Sequence, residues 1–312
     1  MGSRQQGSGS KVTAPRRDSP RRAVAVTVSV VVVLAIAVVT ANVVTHGSAP
    51  GPSARTGQGV RAPRSAATES EPQALVRAQA AQWMARQLSP SAVVACDPQM
   101  CSALQAAGLQ ARRRLVPRRL SAGQLGAEIV VATRVVRDQF GPRLASVYAP
   151  ELIASFGSGP ARIEVRYVAP GGGGSFEASQ AADRGARVAA GQQLLRNQRI
   201  HASTAARTAL ATGSVDPRLL VTLAALAAQP VVVQQQVSVV AFGDSSPGAA
   251  GIPLRDAELG SGSQAGVQAM LSFLLAQQPP YRPARARLIR QPDGRYMLNV
   301  QFDAPSPLAL NG

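Results

Sequence analysis

Apolar and polar positions divide the chain into a polar start, one long apolar run, a second polar stretch, and a region where short apolar runs alternate with helical periodicity. Residues 23–44, AVAVTVSVVVVLAIAVVTANVV, carry no charged side chain. As a helix rising ~1.5 Å per residue they span roughly 33 Å, enough to cross a bilayer. Arg4, Lys11, Arg16, Arg17, Arg21 and Arg22 precede the run with only Asp18 opposing, and the flank up to residue 54 has no Lys or Arg. The positive-inside rule then places the N-terminus in the cytoplasm and the bulk of the chain outside, held by an uncleaved anchor at the cell membrane. The alternative is a cleaved signal peptide using Gly47, Ser48 and Ala49, but the apolar run exceeds the usual signal core.

The pattern predicts a cytoplasmic tail over 1–22, a transmembrane helix over 23–44 and a Pro/Gly/Ser-rich disordered linker over 45–70. Two small extracytoplasmic α/β modules follow, over 71–170 and 175–312. EPQALVRAQAAQWMARQL is expected as a helix with Leu75, Ala78, Trp83, Met84 and Leu88 near one face. AVVAC (92–96) reads as a strand, and Asp97 and Pro98 as the cap and first residue of a short helix that Gly108 ends. ARRRLV and EIVVAT (128–133) read as strands, RVVRDQF as a helix, and ELIASFG and RIEVRYV (162–168) as strands. In the last, Ile163, Val165 and Tyr167 alternate with Arg162, Glu164 and Arg166, predicting one buried and one wet face. APGGGG (169–174) serves as the internal boundary.

Beyond it, helices are expected around 176–196, over STAARTALATG, and over VDPRLLVTLAALAA, where Asp216 caps and Pro217 starts the helix. VVVQQQVSVVAF (231–242) supplies one or two strands and Gly243–Gly251 a turn-rich loop. A helix at AGVQAMLSFLLAQ precedes the hairpin of ARARLIRQ, PDG and RYMLNVQF. Alternating strands and helices make the fold class α/β.

The chain holds 33 basic and 16 acidic residues, net +17, with Lys11 the sole lysine, and apolar positions dominated by Ala and Val. That bias is what a high-G+C genome imposes, so the arginine content does not by itself indicate nucleic acid. An extracytoplasmic compartment and 4% aromatic residues, too few to stack bases, also count against that partner. The surplus instead favours anionic neighbours such as lipid headgroups or an acidic wall polymer. Arg112, Arg113, Arg114, Arg118 and Arg119 form the densest basic patch outside the tail, either a solvated face or a contact for such a partner.

Cys96 and Cys101 are the only cysteines and form a disulfide candidate in an oxidising compartment. With His46 beside the membrane and His201 the other histidine, no multi-imidazole metal site can be assembled. No G-x-S-x-G elbow accompanies any serine, and neither a metal nor another cofactor is expected. SFGSGPAR and AFGDSSPG each follow an apolar strand, where loops of open α/β sheets bind ligands. They nominate Ser155, Gly157, Ser158, Gly159, Asp244 and Ser245 as ligand-binding candidates, against a plain-turn alternative. Asp97, Asp244, Asp256 and Glu258 lie near predicted loops without a spacing that pairs any two.

Residues 80–168, carrying AQWMARQLSPSAVVACDPQMC, EIVVATRVVRDQF and IASFGSGPARIEVRYV, resemble the extracytoplasmic soluble domain of actinobacterial membrane glycosyltransferases of the mannosyltransferase-like type. The resemblance implies a small α/β module in the cell envelope, without the multi-span catalytic portion of those enzymes. Residues 194–260, with LLRNQRIHASTAARTALATGSVDPRLLVTLAALA and PLRDAEL, are similar to the opening of D-alanyl-D-alanine-carboxypeptidase-like domains. There the resemblance implies a degenerate, non-catalytic relative, since AFGDSSPG and PLRDAEL stand where His and Asp zinc ligands are expected.

Together these features predict a non-enzymatic single-pass envelope protein. It would bind an anionic wall polymer or assist a membrane glycosyltransferase in glycan assembly. The alternative is a carboxylate-based hydrolase or transferase acting on envelope glycan, which requires one of the four acids above to sit in a cleft near a second carboxylate.

Overall fold

A computed structural model of the chain describes residues 71–109, 126–229 and 236–308. The tail, anchor and linker expected over 1–70 and the basic patch expected at Arg112, Arg113, Arg114, Arg118 and Arg119 lie outside the described residues. Among the described residues no helix is long and apolar enough to cross a membrane. The described chain is α/β, with two mixed sheets.

Helix α1 (Glu71–Gln87) leads into β1 (Val94–Ala95), α2 (Pro98–Ala106), β2 (Ile129–Ala132), α3 (Arg134–Phe140), a π turn (Leu144–Tyr148), β3 (Glu151–Phe156), a 3-10 turn (Gly159–Ala161) and β4 (Ile163–Tyr167). The first sheet runs β1-β2-β4-β3, with β1 and β2 parallel and the other pairs antiparallel. Asp97 starts α2 as its pattern predicts: its Oδ1 accepts from the amides of Gln99 and Met100 at 3.0 Å each, with Pro98 next in the first turn. Cys96, at the end of β1, is joined by a disulfide to Cys101 in α2.

The buried side of α1 differs from the sequence expectation. Trp83, Met84 and Leu88 are buried, but Ala78 is exposed and Leu75 is 60% exposed. Ala80 and Ala81 face the core in their place, because small residues let the helix lie close to α2 and β3.

Both faces of the first sheet are covered. Ile129, Val131, Ile153, Ile163 and Val165 pack with α1 and α2, while Val130 and Ala132 pack with Val136, Leu144 and Ala149 from α3 and the π turn. The face of β4 expected to be wet is therefore dry at Glu164, only 4% exposed. Its charge is matched by Arg162 and by Arg166, whose Nε lies 2.7 Å away. Arg166 also donates to the carbonyls of Ala149 and Pro150. A buried carboxylate requires such partners.

The glycine tract expected to divide the modules is the first turn of α4 (Gly172–Arg196). A Cβ on Gly173 would stand 2.2 Å from the Ser146 carbonyl oxygen, so only glycine lets α4 start against the π turn.

The second sheet is built from β5 (Ile200–Ala202), β6 (Val237–Gly243), β7 (Asp256–Gly260), β8 (Arg285–Arg290) and β9 (Tyr296–Gln301), in the order β5-β6-β7-β9-β8. Helices α5 (Thr204–Ala211) and α6 (Pro217–Ala228) connect β5 to its parallel neighbour β6, and α7 (Gln264–Leu275) connects β7 to β8. Apolar residues of β6, β7 and β9 bury against α4 to α7 on one face. Residues of opposite pleat parity, among them Glu258, Asn299 and Arg287, form the other face, and none of these three is buried.

The two sheets belong to one compact unit, Arg64–Gly312. Trp83 Nε1 donates to the Ser245 carbonyl at 2.8 Å, the Ser155 amide donates to the Pro247 carbonyl at 2.7 Å, and Leu88 bridges to Ala304.

Candidate functional site

Two clefts meet the requirement of a concave polar surface. The first, a cavity of about 350 Å³, lies between the sheets. Glu151 at the start of β3 forms one wall, and Glu177, Gln180, Ala181, Arg184 and Arg187 of α4 another. Gly213 and Ser214 between α5 and α6, the loop Gly251–Pro253 and the segment Ser306–Leu308 complete it.

Its floor is held by two buried ion pairs. Arg187 is ion-paired with Asp183 one helical turn earlier, and its Nε donates to the Gly213 carbonyl at 2.8 Å. Asp183 Oδ1 has no hydrogen-bond partner among the described residues. Asp216, fully buried, caps α6 by accepting from the Arg218 amide at 2.8 Å. It also accepts from Arg218 Nε and Nη2, and from the Ser306 hydroxyl at 2.5 Å. Arg218 lies 5.0 Å above the Phe302 ring and donates to the Asp303 carbonyl. A charge is tolerated there because each guanidinium is matched by a carboxylate and a carbonyl.

Burial dominates the titration of this cleft. It pushes the Glu151 carboxyl up to about 7, with Arg187 pulling the other way. Burial also lowers the Arg187 guanidinium, opposed by Asp216 and Glu151. Around neutrality Glu151 is thus divided between acid and carboxylate, and it presents a hydroxyl donor in the protonated form. The cleft combines that carboxyl with the Gln180 amide, the Ser214 and Ser306 hydroxyls, and one exposed acid and base, Glu177 and Arg184. It is rich in hydrogen-bonding groups, with opposing charges near balance.

The second cleft, about 210 Å³, opens at the carboxyl ends of the parallel strands β1 and β2. Asp97, Thr133, Arg134 and Pro160–Ile163 line it with Arg77 and Gln99. The Thr133 hydroxyl donates to Asp97 Oδ2, so both oxygens of Asp97 are engaged. Asp97 is the only carboxylate in its lining.

The ligand candidates predicted from sequence fall largely on the joint between the sheets. Ser155 binds Pro247 through its amide, and Gly248 approaches it closely; Gly157, at φ +66°, abuts Val76. Ser158 and Gly159 are exposed at the 3-10 turn, whose Pro160 and Ala161 reach the second cleft. Asp244 is ion-paired at 2.6 Å with Arg255, which is 1% exposed and also donates to the Phe302 carbonyl. The Ser245 hydroxyl lies 3.2 Å from both Gln87 Oε1 and Asp256 Oδ2, and accepts from Gln301 Nε2 at 2.8 Å. Burial pushes the Asp256 carboxyl up, against the Gln301 hydrogen bond, Arg255 and Ser245. Glu258 stands on the open face of the second sheet, and His201 is exposed on β5.

None of the four acids that the sequence nominates lines the larger cleft; its two carboxylates, Glu151 and Glu177, are not among them. Only the i,i+4 spacing of Asp183 and Arg187 carries a local signal for this region, and such spacing is common on helices. Among the described residues no group of three or more His, Cys, Asp or Glu could hold a metal ion. Comparisons with family models, curated proteins and solved structures find no match to the chain, which leaves the chemistry of its clefts as the ground for a role.

Proposed function

We propose that this is a single-pass protein, anchored through residues 23–44 with the α/β region outside the membrane, and that it binds an uncharged, hydroxyl-rich envelope glycan as a non-catalytic accessory to glycan assembly. The carrying observation is the larger cleft, whose Glu151, Gln180, Ser214 and Ser306 offer hydrogen bonds while its buried arginine is already neutralised by Asp183. Sugars reward such a mixed donor and acceptor set, whereas a strongly anionic ligand would meet Glu177 and the ionised fraction of Glu151. The apolar run and its basic flank support the anchor, and the resemblance to envelope domains supports the setting.

The test uses the full-length protein in detergent micelles, titrated with soluble chito-oligosaccharides, an uncharged glycan, by calorimetry. Saturable binding that Ala181→Trp abolishes by filling the cleft, with the thermal transition unchanged, is the expected result; no binding by the unaltered protein overturns the proposal. Protease added outside intact cells should remove the region after residue 70.

A second reading, a carboxylate-based hydrolase acting on glycan, is favoured by one observation: Glu151 is partly protonated near neutrality and shares its cleft with Glu177. Glu151 would protonate the leaving oxygen while Glu177 took a proton from the attacking water. Release of new reducing ends, lost in both Glu151→Ala and Glu177→Ala, would select it over binding alone.

A further inference from the structure

The longest unbulged sheet edge among the described residues is β8. It pairs only with β9, through six rungs from Arg285↔Gln301 to Arg290↔Tyr296 without a register shift. The pairings β3–β4 and β6–β7 each contain a shift, and the other outer strands are shorter or covered. β5 has three residues, β1 has two, and β3 is met at Ser155 by the Pro247 carbonyl. No turn, loop or cap backbone hydrogen bond reaches residues 285–290, so the outward amides and carbonyls of β8 meet no backbone partner among the described residues.

Folded proteins blunt such edges with bulges, proline, shortness or charge. β8 has neither a bulge nor a proline, so charge is the remaining device, and the charge has one sign. Arg282, Arg285, Arg287, Arg290 and Arg295 lie within residues 281–301, with Asp293 as the only acid. Asp293 is taken by Arg295 at 2.6 Å, and Arg287 and Arg290 make no ion pair among the described residues. Ala286 and Leu288 turn toward the core, which leaves Arg285, Arg287 and Ile289 on the other face, where Arg285 Nη2 donates to the Arg86 carbonyl at 3.4 Å, Arg287 is exposed and Ile289 is 42% exposed. A row of guanidiniums repels a second copy of the same strand but complements an acidic one.

We propose that β8 is a docking edge for an extended acidic segment of another protein, which adds a sixth strand to the second sheet. Main-chain hydrogen bonds to the free edge would hold the segment. Acidic side chains opposite Arg285 and Arg287 would select it. The partner is thus a protein with an exposed stretch of alternating acidic and apolar residues. The site is separate from the glycan cleft and does not depend on it.

The test measures fluorescence anisotropy of a labelled Glu-Val-Glu-Val-Glu-Val peptide against the full-length protein in detergent micelles. Binding is expected to weaken with salt and to fall about tenfold or more in Arg285→Glu/Arg287→Glu. Arg295→Glu, in the turn, should change it little. Hydrogen exchange over residues 285–290 should slow when the peptide binds. A peptide of the same sequence N-methylated at every residue keeps the charge but loses its main-chain donors on both edges, and it should not bind. Equal binding by that peptide identifies a nonspecific polyanion patch and overturns the proposal, as does absence of binding by the unmodified one.

Discussion

Both sheets begin with a parallel pair joined through helix and finish with an antiparallel hairpin whose later strand lies inward, β4 beside β2 and β9 beside β7. They differ in what covers their faces. The central strand β4 places Glu164 under α3 and the π turn, where it is 4% exposed and held by two arginines. The central strand β7 places Glu258 on an open face with no ion pair among the described residues. Strand alternation is the same in both. Period-two patterning states which residues share a face, and coverage by a second layer decides whether a charge on that face must be paired.

The hardest way to break either half is to remove a buried carboxylate and leave its arginine behind. Asp216→Ala strands Arg218 and removes the α6 cap, and Glu164→Ala strands Arg166. Each should cost about 3–5 kcal/mol, the range for an orphaned buried charge. Urea unfolding followed by Trp83 fluorescence, the single tryptophan and a reporter of the first sheet, and by far-ultraviolet circular dichroism for the whole, measures both. If Asp216→Ala moves both signals together, the sheets unfold as one cooperative unit; if circular dichroism falls first, each sheet has its own stability.

Next is the disulfide, which only the first sheet has. Its ends are five residues apart, and closing so short a loop restrains the unfolded chain by about 2 kcal/mol on the loop-entropy model. Cys96→Ser/Cys101→Ser should lower stability by about that much, seen first in Trp83 fluorescence.

How far these elements are legible in the sequence depends on how local their causes are. Asp97-Pro98 and Asp216-Pro217 announce α2 and α6 because capping and the fixed proline φ act within one turn. The PDG turn announces the β8–β9 hairpin for the same reason. Strand β7 carries no such signal: DAELG has two apolar positions, and pairing with β6 and β9 places it in the sheet. The glycine tract reads as a boundary because glycine disfavours helix, yet contact with Ser146 in the π turn demands glycine there. The larger cleft is illegible since Glu151, Glu177, Ser214 and Ser306 converge from four distant segments, and no spacing rule spans such separations.

Glu151 tests the cleft where the two halves meet. Its carboxyl rises from the usual 4.5 to about 7, so the protonated form is favoured in the folded state. The resulting stability is complete below the usual value and is lost as pH rises through about 7. Glu151→Gln should match the unaltered protein at pH 4 and exceed it at pH 8 by about 1–2 kcal/mol, given ~1.4 kcal/mol for each tenfold change in proton affinity and partial exposure to solvent. Thermal melts across that range check the sign; a variant equally stabilised at both pH values would place the effect in packing instead of titration.

The smallest effect sharpens the comparison most. Glu258→Ala removes a strand carboxylate from the second sheet that is only half-buried and makes no ion pair among the described residues. It should shift stability by less than about 0.5 kcal/mol, as expected for a surface substitution. Urea midpoints with an unchanged slope measure it. A loss approaching that of Glu164→Ala would mean that Glu258 is covered and paired in the folded protein, and that both sheets bury their second face.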